Sequence, residues 1–128
     1  MKQDVATAID ELRRAFPDTS VWSEQDSEGG AYVILEDVDI GSRYAPTSTW
    51  IGGHVTALYP YADIYPLFMD ASVRRVDGVE FVAPVTLGHE FAGRSAIQIS
   101  RANNHTQHFP QTALAKFLKV IHFLEHLQ

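Results

Sequence analysis

The chain has no cysteine among its 128 residues. Without thiols there are no disulfides, no thiolate nucleophile and no sulfur metal ligand, which removes thioredoxin-like, papain-like and zinc-finger readings together. Basic residues are scarce as well: 10 Lys and Arg against 16 Asp and Glu leave a formal charge of -6. Nucleic-acid binding needs a basic face that displaces phosphate counterions, so nucleic acid is not an expected partner. No apolar run approaches the ~18 residues of a membrane-crossing helix. Nor does a basic segment followed by an apolar one open the chain. A cytoplasmic protein without membrane contact is the expectation. Internal repeats and low-complexity linkers are also missing.

What is present suits one folded unit. Hydrophobic residues make up 45% of the chain, enough for a single domain over residues 1–128 with a real core. From Asp4 the apolar positions Val5, Ile9, Leu12 and Phe16 follow helical spacing and Pro17 stops them, which predicts an amphipathic first helix. A polar segment from Ser23 to Gly30 then separates Thr19–Trp22 from the apolar run Ala31–Leu35, the pattern of a β-hairpin. Trp50–Tyr59 reads as a longer strand with a bulge at Gly52 and Gly53, and Leu67–Arg75 as a fourth strand. Asp77–Phe109 shows no clear period and is expected to be irregular. Beyond Pro110, Leu114, Phe117, Leu118, Ile121, Leu124 and Leu127 form an apolar stripe behind Thr112, a suitable N-cap, so a long C-terminal helix is predicted. The sum is an α+β arrangement: helix, antiparallel meander of about four strands, irregular segment, helix.

The run Leu58-Tyr59-Pro60-Tyr61-Ala62-Asp63-Ile64-Tyr65-Pro66 stands out. Proline fixes φ and has no N–H, and each residue before it is pushed into extended geometry. Tyr59-Pro60 therefore reads as a strand end, and the stretch to Pro66 as a non-helical crossing whose tyrosines pack on the body, or as a plain hairpin connection.

Three motifs carry a resemblance. Leu58-Tyr59-Pro60 and Ile64-Tyr65-Pro66 are similar to the strand-ending aromatic-proline pairs of E2 (ubiquitin-conjugating, UBC) proteins. Gly93-Arg94-Ser95-Ala96-Ile97-Gln98-Ile99-Ser100-Arg101 resembles the Gly-Arg and Ser-Arg signature of bacterial E2-like proteins. Phe109-Pro110 and the helix from Thr112 resemble the aromatic, proline and helix sequence beyond the E2 active site. Together they resemble the prokaryotic E2 family E type, encoded beside ubiquitin-like and E1-like genes. The resemblance implies an E2/UBC-like fold in a bacterial ubiquitin-like conjugation pathway, one serving antiviral defence, with an E1-like activating enzyme and a ubiquitin-like protein as partners and no cofactor.

E2 chemistry is acyl transfer, and with no cysteine the acceptor has to be a hydroxyl. The resemblance puts Ser95 near the place of the missing thiol. A serine needs an imidazole within hydrogen-bond reach, for which His89 or His105 is the candidate, and Asn103 or Asn104 would supply an oxyanion donor. Two roles result: an enzyme carrying the ubiquitin-like C-terminus on Ser95 with His89 as base, or a non-catalytic adaptor that docks the E1-like or ubiquitin-like protein. Arg94, Arg101, Tyr59 and Tyr65 are the expected partner-binding residues. Arg74 and Arg75 form a further basic pair able to meet an acidic patch.

A third reading comes from His122-Phe123-Leu124-Glu125-His126, the inverzincin pattern of two imidazoles on one helix face with a glutamate between them. As a zinc hydrolase it would draw its third ligand from His54, His89, His105 or His108. The alternative is that His122 and His126 are imidazoles favourably placed against a helix C-terminal dipole.

Overall fold

A computed structural model describes residues 1–101 and 111–127. Helix α1 spans Gln3–Ala15 and buries Val5, Ala8, Ile9 and Leu12, the face the spacing predicts. It ends at Phe16, whose N–H returns to the Leu12 carbonyl, just ahead of Pro17. Strands β1 (Val21–Gln25) and β2 (Ala31–Asp39) form the expected hairpin, in register from Val21 opposite Leu35 to Gln25 opposite Ala31, but residues 23–25, expected in the loop, belong to the first strand. Asp26 shapes the turn: its Oδ1 accepts the N–H groups of Glu28 at 2.8 Å and Gly30 at 2.9 Å. This is the side-chain imitation of a backbone turn that suits Asp there.

The remaining strands are β3 (Tyr44–Ala45), β4 (Ser48–Val55), β5 (Leu67–Asp70), β6 (Arg74–Arg75), β7 (Val85–Phe91) and β8 (Arg94–Ile99). Six of the eight make one sheet in the order β1-β2-β4-β5-β8-β7, every neighbouring pair antiparallel, while β3 and β6 pair separately. Helix α2 (Ala113–Glu125) begins where Thr112 predicts, with the Thr112 hydroxyl accepting the Ala115 N–H at 3.1 Å.

Several expectations need correction. The strand assigned to Trp50–Tyr59 is Ser48–Val55, and Gly52 and Gly53 pair in continuous register rather than forming a bulge. The bulge lies in the partner strand, between Leu35 and Val38. The glycines serve close approach instead: a Cβ on Gly53 would overlap the Leu67 side chain, and one on Gly52 would sit 2.7 Å from the Phe91 ring. The fourth strand stops at Asp70 and resumes as β6 after a turn.

The largest correction concerns the segment expected to be irregular from Asp77 to Phe109. Residues 85–99 form the β7–β8 hairpin, which adds two strands to the sheet and makes six of the expected four. Ala92 and Gly93, at φ 50° and 78°, close it in a two-residue turn with both residues left-handed. Residues 102–109 lie outside the described residues.

Both helices pack on one face of the sheet. There Val5, Ile9 and Leu12 of α1 and Phe117, Val120, Ile121 and Leu124 of α2 meet Val33, Leu35, Ile51, Leu67, Met69, Ile97 and Ile99. The α2 stripe is rotated from the predicted one: Leu118 is exposed, and Lys116 is buried in its place.

Candidate functional site: the sheet face turned away from the helices

Strand alternation sends every second side chain to the other face. Tyr32 and Ile34 of β2, Trp50 and His54 of β4, Phe68 and Asp70 of β5, and Arg94 and Ala96 of β8 stand there, as their cross-strand pairings require. No described helix packs on it. Instead the tip of the β7–β8 hairpin supplies Phe91, whose ring stacks on Phe68 at 4.8 Å between centroids and meets Tyr32 edge-on at 6.0 Å. Gly52 leaves the space that ring occupies. Phe91, Trp50, Ile34 and Ala96 form a second buried cluster, with Trp22, Tyr32 and Phe68 half-buried around it.

Charged groups border these rings. Arg94 makes two parallel hydrogen bonds to Glu36, Nη1 to Oε1 at 2.8 Å and Nη2 to Oε2 at 2.9 Å, and its Cζ lies 5.4 Å from the Trp50 ring centre. That fork-on-carboxylate geometry holds the guanidinium ionised and raises its pKa. Trp50 Nε1 donates to Asp70 Oδ1 at 3.2 Å, and the Ser72 hydroxyl also donates to that carboxylate. The Ser72 hydroxyl is the main cause of Asp70's lowered pKa.

At the other end of the face, His54 Nε2 donates to Asp26 Oδ2 at 2.6 Å, and the imidazole stacks on Tyr32 at 4.3 Å. The His54 hydrogen bond, with the Glu28 N–H after it, takes the Asp26 carboxyl down to about 2. A carboxylate holding an imidazole is half of a catalytic relay. Among the described residues no hydroxyl is hydrogen-bonded to His54, so no nucleophile completes it.

The structure does not bring the sequence-predicted catalytic pair together. In the β7–β8 register His89 lies opposite Ala96, and Glu90 opposite Ser95, so His89 and Ser95 project to opposite faces of the sheet. His89 Nε2 is hydrogen-bonded to Thr86 Oγ1 at 2.9 Å. Ser95 is exposed, and its hydroxyl makes no hydrogen bond among the described residues. Asn103, Asn104, His105 and His108 lie outside the described residues.

The expected partner-binding residues divide. Arg94 is committed to Glu36. Tyr59 is buried and its hydroxyl accepts the Ala113 N–H at 3.0 Å, anchoring the start of α2, so its surface is not free for a partner. Tyr65 is half-exposed, and Arg101 is exposed with its Cζ 4.7 Å above the Phe123 ring. Leu58 and Tyr61 beside Tyr65 are strongly exposed. The tyrosines expected to pack on the body therefore do so only at Tyr59.

Of the inverzincin residues, His122 and His126 approach to 4.1 Å between ring centres, with His126 Nδ1 donating to the His122 carbonyl at 2.9 Å. Among the described residues no group of three or more His, Asp or Glu is placed to hold a metal ion.

Sequence reasoning missed Lys116. Its Nζ is buried within 3.1 Å of Asp63 Oδ1, donates to the Arg101 carbonyl, and lies 6.0 Å from the Tyr65 ring centre. Burial pushes its pKa down, opposed by Asp63. The signal was present: Lys116 falls three residues after Ala113 and four before Val120, on the buried side of the wheel.

The fold and this geometry define a two-layer α+β domain with helices on one face and an aromatic, ion-paired second face. Comparison of the chain with protein-family models, curated proteins and solved structures finds no match. No described helix is long and apolar enough to cross a membrane.

Proposed function

We propose that the chain is a non-catalytic member of the E2/UBC-like class, acting as an adaptor in a bacterial ubiquitin-like conjugation pathway and docking an E1-like or ubiquitin-like protein. The observation that carries this choice of role is the register of β7 and β8. A serine acyl acceptor requires a base within hydrogen-bond reach, and Ser95 and His89 stand on opposite faces of one sheet. With no cysteine and no described base on Ser95, a binding role asks less of the described residues than acyl transfer does. Leu58, Tyr61 and Tyr65, exposed along one connection, supply apolar contact surface of the kind that protein partners cover.

The test is intact-mass analysis of the full chain after incubation with an E1-like enzyme, a ubiquitin-like protein and ATP, beside the Ser95→Ala variant and followed by gel filtration of the mixture. The expected result is no covalent adduct on either chain and co-elution with one partner, weakened by Tyr61→Asp. A base-labile adduct that disappears in Ser95→Ala would overturn the adaptor role in favour of an oxyester-forming enzyme. Absence of both adduct and complex would overturn the reading as a whole.

A further inference from the structure

At the end of the sheet β7 pairs, among the described residues, only with β8. Beside it the chain between Ala71 and Leu87 lines an open cavity of about 400 Å³, within the size range of surface clefts that receive another molecule. Its shape is held by hydrogen bonds. Asp77 accepts from Arg75 Nη2 at 2.7 Å and from the Val79 N–H at 2.9 Å, and Phe81 stacks on Tyr44 at 6.2 Å.

The lining is apolar where it meets water. Val79 and Leu87 line the cavity yet are 54% and 63% exposed, and Val76 and Val82, nearby in the chain, are 62% and 74% exposed. Three charged side chains, Arg74, Arg75 and Glu80, line the same cavity. Arg75 is held by Asp77, whereas Arg74 and Glu80 are exposed and neither has a hydrogen-bond or ion-pair partner among the described residues.

We infer that this edge is a self-association surface whose partner is a second copy of the chain, related by a two-fold axis. In such a contact one patch must complement itself. This one does: it carries a cavity, apolar side chains beside it and, among the described residues, a cation (Arg74) and an anion (Glu80) that lack partners. Leu87 of each copy covers the cavity of the other, and Arg74 of one faces Glu80 of its mate. Charge points the same way. The whole chain carries -6, so two copies repel, but Arg74 and Arg75 balance Asp77 and Glu80 and leave this patch neutral. The contact runs through side chains rather than a continued β-ladder, because the register shift between Thr86 and His89 breaks β7 as a pairing edge. This inference does not depend on the adaptor role.

Sedimentation velocity on the full chain over a concentration series tests it, with Leu87→Asp, Arg74→Glu, Glu80→Arg and the double reversal Arg74→Glu/Glu80→Arg. The expected result is a reversible wild-type dimer and a monomeric Leu87→Asp. Each single reversal should weaken dimerisation about ten-fold or more by juxtaposing like charges, and the double reversal should recover it. A wild type that stays monomeric, a dimer indifferent to Leu87→Asp, or a double reversal no better than the singles would each overturn it. Far-ultraviolet circular dichroism confirms that each variant is folded, with Leu87→Ser replacing Leu87→Asp if the latter is not.

Discussion

The two faces of the six-stranded sheet are built from the same strands and stabilised differently. Beneath the helices the side chains are mostly aliphatic, and among the described residues 25 buried ones form one continuous cluster. On the opposite face the buried hydrophobic cluster has four members among the described residues, and they are held by aromatic stacking, a forked ion pair and a hairpin tip folded over them. The first face is covered by α1, whose buried side follows from periodicity, and by α2, which turns Lys116 inward where the periodicity predicts Leu118. The second is closed by one ring, Phe91, delivered by a turn. Stability is therefore expected to reside mainly in the first, and surface chemistry in the second.

The sharpest test of that contrast is Phe117→Ala, which empties a fully buried site on α2 and should cost about 3–5 kcal/mol in urea unfolding. Neighbouring glycines give a matched pair on opposite faces. Gly53→Ala drives a methyl into the locked side chains of Leu67 and Ile64 and should cost roughly 1–3 kcal/mol. Gly52→Ala presses on the Phe91 ring and more lightly on Ile34 Cγ1, so about 1 kcal/mol is expected, with a changed near-ultraviolet circular dichroism signal from the aromatic cluster that Gly53→Ala lacks. Equal costs would show that the second face is as rigid as the first.

Smaller still is Arg94→Lys, which keeps the charge but loses the fork on Glu36. Both partners are about one-third exposed, so a loss of about 0.5–1 kcal/mol is expected by double-mutant cycle with Glu36→Gln. The last prediction concerns pH. Asp26 is ionised down to about 2 in the folded chain against 3.8 ordinarily, so its contribution is complete above about 4 and is lost as pH falls from there toward 2. His54→Gln should shorten that acid limb in thermal melts taken across this window. An unchanged acid limb would mean that the turn amides alone hold the carboxylate.

Local patterns in the chain were enough for α1, the β1–β2 hairpin and α2 with its Thr112 cap, because spacing, turn residues and capping act within a few positions. The β7–β8 hairpin leaves no such pattern, for two physical reasons. Its alternation is interrupted at Leu87 and Gly88, and its turn opens with Ala92, a residue that seldom adopts positive φ. Lys116 was hidden by its charge, which normally marks a solvated position; Asp63 and the Arg101 carbonyl, distant in sequence, make its burial tolerable.

The candidate site obeys the same division. That Ser95, His89 and Arg94 fall close together in the chain was plain in the sequence, as was the lack of any thiol. Which way each side chain points depends on strand register, and a shift of one residue reverses every facing. That register is set by β5 pairing with β8 and by a bulge in β7, the first of these a contact between segments far apart in the chain. Composition thus ruled out thiol chemistry and periodicity placed the helices. Only the assembled sheet separated Ser95 from His89, tied Arg94 to Glu36 and buried Tyr59, because each of those outcomes rests on a pairing that no local pattern encodes.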